Sequence, residues 1–385
     1  MQSALRETTL KILRYQGYTI DEGDFSLKDD ERDTKRDAHI LAKAERILHH
    51  EGLVTKKAEL VKQHMVNGAD LEIEKISPVL IKVKPDTEME TLFRWWNLVW
   101  WSLPYERSYG RQMRFVLWDR YHKAPMGLIG LQSPILSWAV RDKYLEISAD
   151  QRDFWINQSL NAQRLGALPP YNNILGGKLV ASMMATDYVR RKFKQKYQNV
   201  KTVMQDRDIP ANLLFITTTG AYGESRVYSR LNVNQRPVAK FLGYTQGSGS
   251  FHIPNFLYDE FISFLKGRNY DVGRGYGHGP SRKIRLIGQA MKLLGFRDGI
   301  NHAVQRSVYF FPFVENVKDV IHKGMRPKWI HRSQNEVAAF WKEKWAIPRS
   351  KIDERYLAFS KDKFIENSLA ELDQFRKIIQ DIKSS

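Results

Sequence analysis

The sequence predicts an α+β protein whose mixed central sheet stands between an N-terminal helical region and a basic C-terminal helical region. Runs rich in β-branched and aromatic residues at 114–118, 126–131 and 213–219 indicate strands. Apolar positions at helical spacing through 33–48, and a charged helical pattern through 341–385, indicate helices at both ends. Strands and helices that are segregated in this way are typical of the α+β class.

Three regions are predicted along the chain. A length of 385 residues allows two or three domains, since a domain usually has about 100–200 residues. We place an N-terminal helical region at 1–85, an α/β core at 86–250 and a basic helical region at 251–385. The first boundary follows a β-branched run that ends at Pro85, and the second lies in a Gly- and Ser-rich loop.

The composition excludes several classes of protein. The chain has no cysteine, which rules out disulfides, thiol catalysis and cysteine-ligated zinc. We find no apolar run of about 18 residues and therefore expect no transmembrane helix. The first residues lack the pattern of a secretory signal, so the expected location is the cytoplasm.

The charge balance favours an anionic partner. The chain carries 61 Lys and Arg against 43 Asp and Glu, a formal net charge of +18. Such an excess favours polyanions, because each phosphate that is neutralised releases condensed counterions. We expect a nucleic-acid partner, DNA in the first place, although charge alone does not separate DNA from RNA. The alternative is a basic surface without a specific ligand.

Two basic segments contain the candidate phosphate contacts. One is an amphipathic helix, and the other is a Gly-rich segment at 273–285 that runs into a second helix. Glycine lets backbone amides approach a phosphate, and arginine supplies forked donors. The candidates for nucleic-acid binding are Arg190, Arg191, Lys192, Arg274, Arg282, Lys283 and Arg285.

A continuous unit at 164–231 contains the candidate ligand site. Gly176, Gly177 and Lys178 stand where a helix begins, and amides at a helix start attract anions. After the strand at 213–219, a short helix is predicted around Tyr228, with pocket candidates Tyr222, Ser225 and Arg230. Ahead of this unit, the spacing of Phe154, Ile156 and Leu160 predicts a helix over 149–161.

The order of elements in this unit resembles the GNAT acyltransferase superfamily. There, a strand leads to a glycine-rich turn whose amides hold the pyrophosphate of CoA, and a later helix often presents a tyrosine as general acid. The resemblance implies that Gly176, Gly177 and Lys178 meet the pyrophosphate, that Tyr228 is the acid, and that acyl-CoA is the cofactor. The turn departs from the family pattern, because Asn173 and Lys178 replace its usual first and last residues.

Five separated motifs are similar to the DruA family of Druantia anti-phage proteins. They lie in the family's order at residues 109–115, 126–131, 165–171, 175–181 and 217–223, within a likeness that runs from about Phe93 to Trp345. The resemblance implies a role in phage defence beside other subunits that include a helicase-like protein. It implies no catalytic residue.

Three hypotheses for function remain open. In the first, the chain is a DNA-directed transferase that uses Tyr228. In the second, it is a non-enzymatic module that binds DNA and recruits partners. In the third, a metal-dependent nuclease, the metal ligands would come from the acidic residues near the central unit, which are Asp119, Asp142, Asp153 and Glu224. Histidines are scattered, and Asp142 beside Arg141 is better explained as a structural ion pair, so no metal site is predicted.

Overall fold

A computed structural model describes residues 2–100, 103, 108–202, 206–273 and 281–384. Arg274, one of the candidate phosphate contacts, lies outside these residues. The strands, in chain order, are β1 (Tyr18–Asp21), β2 (Asp24–Leu27), β3 (Pro78–Lys82), β4 (Gln112–Asp119), β5 (Ala124–Gln132), β6 (Ser159–Ala167), β7 (Phe215–Thr219), β8 (Asn232–Val233), β9 (Arg236–Pro237), β10 (Lys240–Tyr244) and β11 (Ser307–Pro312).

Helices precede, connect and follow these strands. In chain order they are α1 (Gln2–Tyr15), α2 (Arg32–Asp37), α3 (Ile40–His49), α4 (Glu51–Gln63), α5 (Glu88–Val99), α6 (Ala139–Leu145), α7 (Arg152–Ile156), α8 (Gly176–Met184), α9 (Asp187–Tyr197), α10 (Asn255–Lys266), α11 (Arg282–Leu293), α12 (Val317–Lys323), α13 (Gln334–Trp341), α14 (Ile347–Ser350) and α15 (Lys361–Ser384). Short 3₁₀ turns include Tyr171–Ile174, and a π-helical turn follows α13 at Lys342–Ala346.

Seven of the strands form one mixed sheet in the order β10-β11-β7-β6-β5-β4-β3. β6 and β7 are parallel, and the other neighbours in the sheet are antiparallel. The parallel pairing runs only from Ser159 opposite Phe215 to Ala162 opposite Thr218, so the last part of β6 extends beyond it. The predicted mixed sheet with helical ends is therefore confirmed, and its likeness to the GNAT fold stays a prediction.

Of the elements predicted near the centre of the sheet, the hairpin is confirmed and the helix before β6 is partly wrong. The hairpin of β4 and β5 is confirmed, with Arg114 opposite Gly130. The helix predicted over 149–161 is wrong beyond its middle, because α7 has only five residues and Leu160 lies in β6. The helical spacing misled here because an alternating strand also places apolar residues at intervals that a short window cannot separate from a helix.

The two faces of the sheet are covered by different helices. Alternation along β4 sends Phe115 and Leu117 into one core with α8, α9 and α13, which we call the α8 face. Val116 points the other way, into a core with α5, α4 and α15, and we call this side the α5 face. On the same side, Phe215 and Phe310 pack against α6 and α12.

The outer regions also contribute to the sheet. β3 comes from the first eighty-five residues, and β11, from the C-terminal region, pairs with both β7 and β10. A separate apolar cluster joins α1, the β1–β2 hairpin, α10 and α11. The division into three regions stays a prediction.

Candidate functional site

The start of α8 is a close-packed junction. A Cβ atom at Gly176 would lie 2.6 Å from the carbonyl oxygen of Tyr171 and 3.0 Å from the Cβ of Ala167. Trp341, which is fully buried, donates from Nε1 to the carbonyl oxygen of Leu175 at 3.2 Å. Gly176 therefore lets the helix approach the end of β6, which is a structural requirement.

Gly177 and Lys178 are more open than Gly176. A Cβ at Gly177 would meet only the Val227 side chain, at 3.5 Å, and the first turn of α8 contains no acidic residue. Lys178 is half-buried with its Nζ 4.6 Å from the centre of the Trp345 ring, and burial lowers the pKa of its ammonium group. These features fit an anion at the helix start, since the backbone amides and Lys178 would both attract it.

Tyr228 lies in a hydrogen-bonded turn, so the short helix predicted around it is wrong. The Tyr228 and Ser229 amides both donate to the Ser225 carbonyl, which closes a single turn. The buried Tyr228 hydroxyl donates to the carbonyl of Leu165 at 3.1 Å, on the part of β6 that has passed the parallel pairing. Burial raises the pKa of Tyr228, so the group stays protonated and able to donate.

The structure brings the two halves of the predicted unit together. Val227, next to Tyr228, is the side chain nearest to Gly177. Of the pocket candidates, Ser225 donates its amide to the Tyr309 hydroxyl at 2.9 Å, Tyr222 faces Arg32, and Arg230 is exposed. The Tyr309 hydroxyl also lies 3.0 Å from Ser229 Oγ. The sequence did not predict this contact, because Tyr309 comes from β11, about eighty residues further along the chain.

The basic helix α9 divides into structural and exposed cations. Arg190 is paired with Asp187 at 3.0 Å and lies over the Trp329 ring, so it holds the fold together. Arg191 is exposed, and Lys192 donates to the side chain of Gln195. Lys192 is half-buried, and its positive charge acts on Lys82 of β3.

Three lysines that sequence reading did not single out lie beside Lys192. Burial lowers the pKa of Lys82, and the positive charges of Lys192 and Lys84 lower it further. The pKa of Lys196 is lowered by burial and then by Lys82 and Arg114. We call Lys82, Lys84, Lys192 and Lys196 the basic edge, because β3 is the last strand of the sheet on that side. The basic edge forms because β3 and α9, which are about a hundred residues apart, meet in the fold. A local sequence motif could not have predicted it.

The remaining candidates lie on α11. Lys283 donates to the side chain of Asn255 at 3.0 Å, and Arg285 donates to the carbonyl of Gly273. Arg282 is exposed at the start of the helix. α11 packs in the cluster with α1 and α10, whereas α9 packs on the sheet, so the two sets belong to different units.

The acidic residues have structural partners. Asp119 is fully buried and accepts hydrogen bonds from the Tyr171 hydroxyl, at 3.0 Å, and from His122 Nδ1, at 2.6 Å. The expected ion pair of Arg141 and Asp142 is confirmed at 2.6 Å. Within the described residues no group of three potential metal ligands occurs. The nuclease hypothesis therefore gains no support.

Comparison with known proteins places the chain in a family. The family model described as Druantia protein DruA matches residues 29–323. Druantia protein DruA of Escherichia coli (strain UMEA 4076-1) is 32% identical over 355 residues, which cover 91% of this chain and 88% of the relative. This chain belongs to the DruA family. It is thus a Druantia anti-phage defence protein, as its motifs indicated.

Two further results concern solved structures and membrane helices. No solved structure matches the chain. Among the described residues, no helix is both long and apolar enough to cross a membrane. The expected cytoplasmic location stays a prediction.

Proposed function

We propose that this chain binds DNA phosphates through the basic edge and serves Druantia defence as a nucleic-acid-binding subunit. Supporting this, none of the four lysines makes an ion pair within the part of the chain that the structure describes. Their hydrogen-bond partners are neutral: Lys196 donates to the carbonyl of Gln112, and Lys192 to Gln195. A bound phosphate would relieve the mutual repulsion of these charges.

The proposal predicts a loss of salt-sensitive binding when the basic edge is neutralised. In Lys82→Gln/Lys84→Gln/Lys192→Gln, the slope of log K against log salt concentration should fall by roughly 0.9 for each lost duplex contact, about 3 in all. Fluorescence anisotropy with a labelled DNA duplex measures this slope. The matched control is Lys56→Gln/Lys57→Gln/Lys351→Gln, which removes three exposed charges elsewhere. An equal fall in both variants would refute the assignment of the surface.

The DruA membership supports a role beside other Druantia subunits, and we extend the proposal to a helicase-like partner. In a non-enzymatic version of this function, the chain recruits that partner to DNA. Co-purification of the two proteins, with the basic-edge variant compared with its control, tests whether recruitment depends on bound DNA. Loss of the partner only in the basic-edge variant would support recruitment through DNA.

A second candidate function is acyl transfer from acyl-CoA to nucleic acid. The order of elements supports it, because β6 leads to the glycines of α8 and the later β7 leads to the turn with Tyr228. Gly177 and Lys178 would hold the pyrophosphate, and the protonated Tyr228 would donate a proton to the leaving group. Bound acyl-CoA would supply the activated acyl group.

Thermal stability in the presence of CoA tests this second candidate. A ligand at a hundred times its dissociation constant adds roughly 2.7 kcal/mol to the free energy of unfolding. Gly177→Glu should abolish the stabilisation, because its carboxylate repels the anion, whereas Gly177→Ala fits the available space and should keep it. Tyr228→Phe should lower any transfer rate on the order of 10²–10⁴-fold. No stabilisation of the folded wild type by CoA would leave DNA binding as the function.

A further inference from the structure

A cavity of about 730 Å³ lies on the α5 face, where α3, α5, α10 and the end of α15 meet. Its volume is within the range of about 300–1,000 Å³ that is usual for small-molecule sites. None of the residues predicted from the sequence as catalytic, cofactor-binding, pocket or nucleic-acid-binding lines it. Its walls come from segments as far apart in the chain as Glu45 and Lys383, so it is a product of the tertiary fold.

Positive charge dominates the lining of this cavity. Arg46, Arg94 and Lys383 line it, together with Arg114, whose guanidinium is paired with Glu90 at 3.1 Å. Arg94 and Lys383 are exposed and make no ion pair among the described residues. Burial lowers the pKa of His50, which also lines the cavity, and the neighbouring charges, Arg46 and Arg94 among them, lower it further.

Glu45 is the acidic residue in this lining, and its carboxylate is already engaged. Its Oε2 accepts from the backbone amide of Asn255 at 2.8 Å, and its Oε1 accepts from that of Phe256 at 3.2 Å. These amides begin α10, so Glu45 stabilises a helix start. Its carboxylate is held at the helix start, and among the described residues it makes no ion pair with Arg94 or Lys383.

The inner wall combines a fixed amide with apolar surface. Asn97 is only 3% exposed, and its Oδ1 accepts from Arg164 Nε at 2.8 Å. This bond leaves the Asn97 Nδ2 group as a donor for which no partner is found in the described chain. Phe93 and Phe256 line the cavity, and Lys383 Nζ lies 5.2 Å from the centre of the Phe256 ring.

We propose that this cavity binds a nucleoside phosphate, either a free nucleotide or the terminal nucleotide of a strand. Guanidinium and ammonium donors from Arg94 and Lys383 match the charge and oxygens of a phosphate. The Phe93 and Phe256 rings offer a base an apolar surface, and the Asn97 amide can donate to an acceptor on its edge. The inference goes beyond the basic edge, since Arg94 and Lys383 do not belong to it.

Calorimetric titration of the full chain with deoxyadenosine 5′-monophosphate tests the site. Arg94→Gln/Lys383→Gln removes two charged donors and should weaken binding at least tenfold, because hydrogen bonds to charged groups are stronger than those between neutral groups. The control variant Lys56→Gln/Lys377→Gln removes two exposed lysines outside the cavity and should bind like the wild type.

A second titration distinguishes the two sources of the ligand. It uses a short single strand with a 5′-phosphate, measured in the basic-edge variant so that the basic edge does not contribute. Sensitivity of the free nucleotide alone to the cavity substitutions supports a free nucleotide as occupant, and sensitivity of the strand supports a strand terminus.

Absence of binding by both ligands, or equal binding to the cavity and control variants, would overturn the proposal. The basic-edge experiment is unaffected by either result, because it uses different residues.

Discussion

The α8 face and the α5 face share β6, yet they differ in how they are built. On the α8 face, β6, the turn and α8 follow one another along the chain and pack without space at Gly176. On the α5 face, four helices from distant parts of the chain leave a cavity of about 730 Å³. The difference teaches that a glycine motif can mark close packing, whereas a cavity can arise without any motif.

The largest expected effect tests whether the α8 face is a rigid core. Trp341→Ala should lower the free energy of unfolding by about 3–5 kcal/mol, because it removes a fully buried ring and the hydrogen bond to Leu175. Urea denaturation measures the loss. Trp341→Phe keeps most of the apolar volume and should lose less. A loss below about 1 kcal/mol for the alanine variant would mean that the α8 start is loosely held.

Acid should instead weaken the separate cluster of α1, the β1–β2 hairpin, α10 and α11, whose α10 also lines the cavity. His39, His252 and His302 are buried together near α3 and the loops that flank α10 and α11, and burial lowers the pKa of each, that of His252 to about 4. At acidic pH the unfolded chain therefore binds more protons than the folded chain. The folded state is fully stable above the ordinary histidine pKa of 6.5 and loses stability as the pH falls toward the lowered pKa of the buried histidines. When the pH falls from about 7.5 to about 5, His252 alone should lower the free energy of unfolding by roughly 2 kcal/mol.

Hydrogen exchange at both pH values locates this effect. Amides of α10 and α11 should lose protection before those of α8. His252→Gln keeps a donor near the carbonyl of Gly299, which His252 Nε2 contacts at 3.0 Å, and should flatten the pH dependence. An unchanged pH dependence in this variant would show that other groups control acid stability.

The last comparison concerns two adjacent glycines, of which Gly177 gives the smallest effect. Gly176→Ala should cost about 1–3 kcal/mol, because its Cβ would clash with the Tyr171 carbonyl. Gly177→Ala should stabilise the protein by up to about 1 kcal/mol, since its position has space and alanine restricts the unfolded chain. Thermal melts of both variants give the difference. Equal destabilisation would mean that both glycines are needed for packing.

Local sequence patterns predicted the elements whose structure depends on residues adjacent in the chain. The β4–β5 hairpin, β7 and the start of α8 follow from apolar runs and from turn residues, and separated motifs indicated the family. Contacts between distant segments were beyond such patterns. Neither Tyr309 beside the Tyr228 turn nor Lys82 beside Lys192 is close in sequence to its partner.

Tyr228 shows how a correct position can be given an incomplete interpretation. Its place after β7 was predicted from the sequence, and its hydroxyl does lie beside β6. What could not be predicted is that the parallel pairing stops at Ala162, which leaves the Leu165 carbonyl to be satisfied by that hydroxyl. The structural role and the proposed acid role now rest on the same oxygen.

The position of β11 between β7 and β10 has a consequence for synthesis on the ribosome. β10 is complete at Tyr244, but the strand beside it in the sheet begins only at Ser307. Until β11 has emerged, β7 and β10 both expose unpaired strand edges, which are prone to association with other chains. We expect the nascent chain to need protection during this interval, which makes translation speed between these strands a determinant of yield.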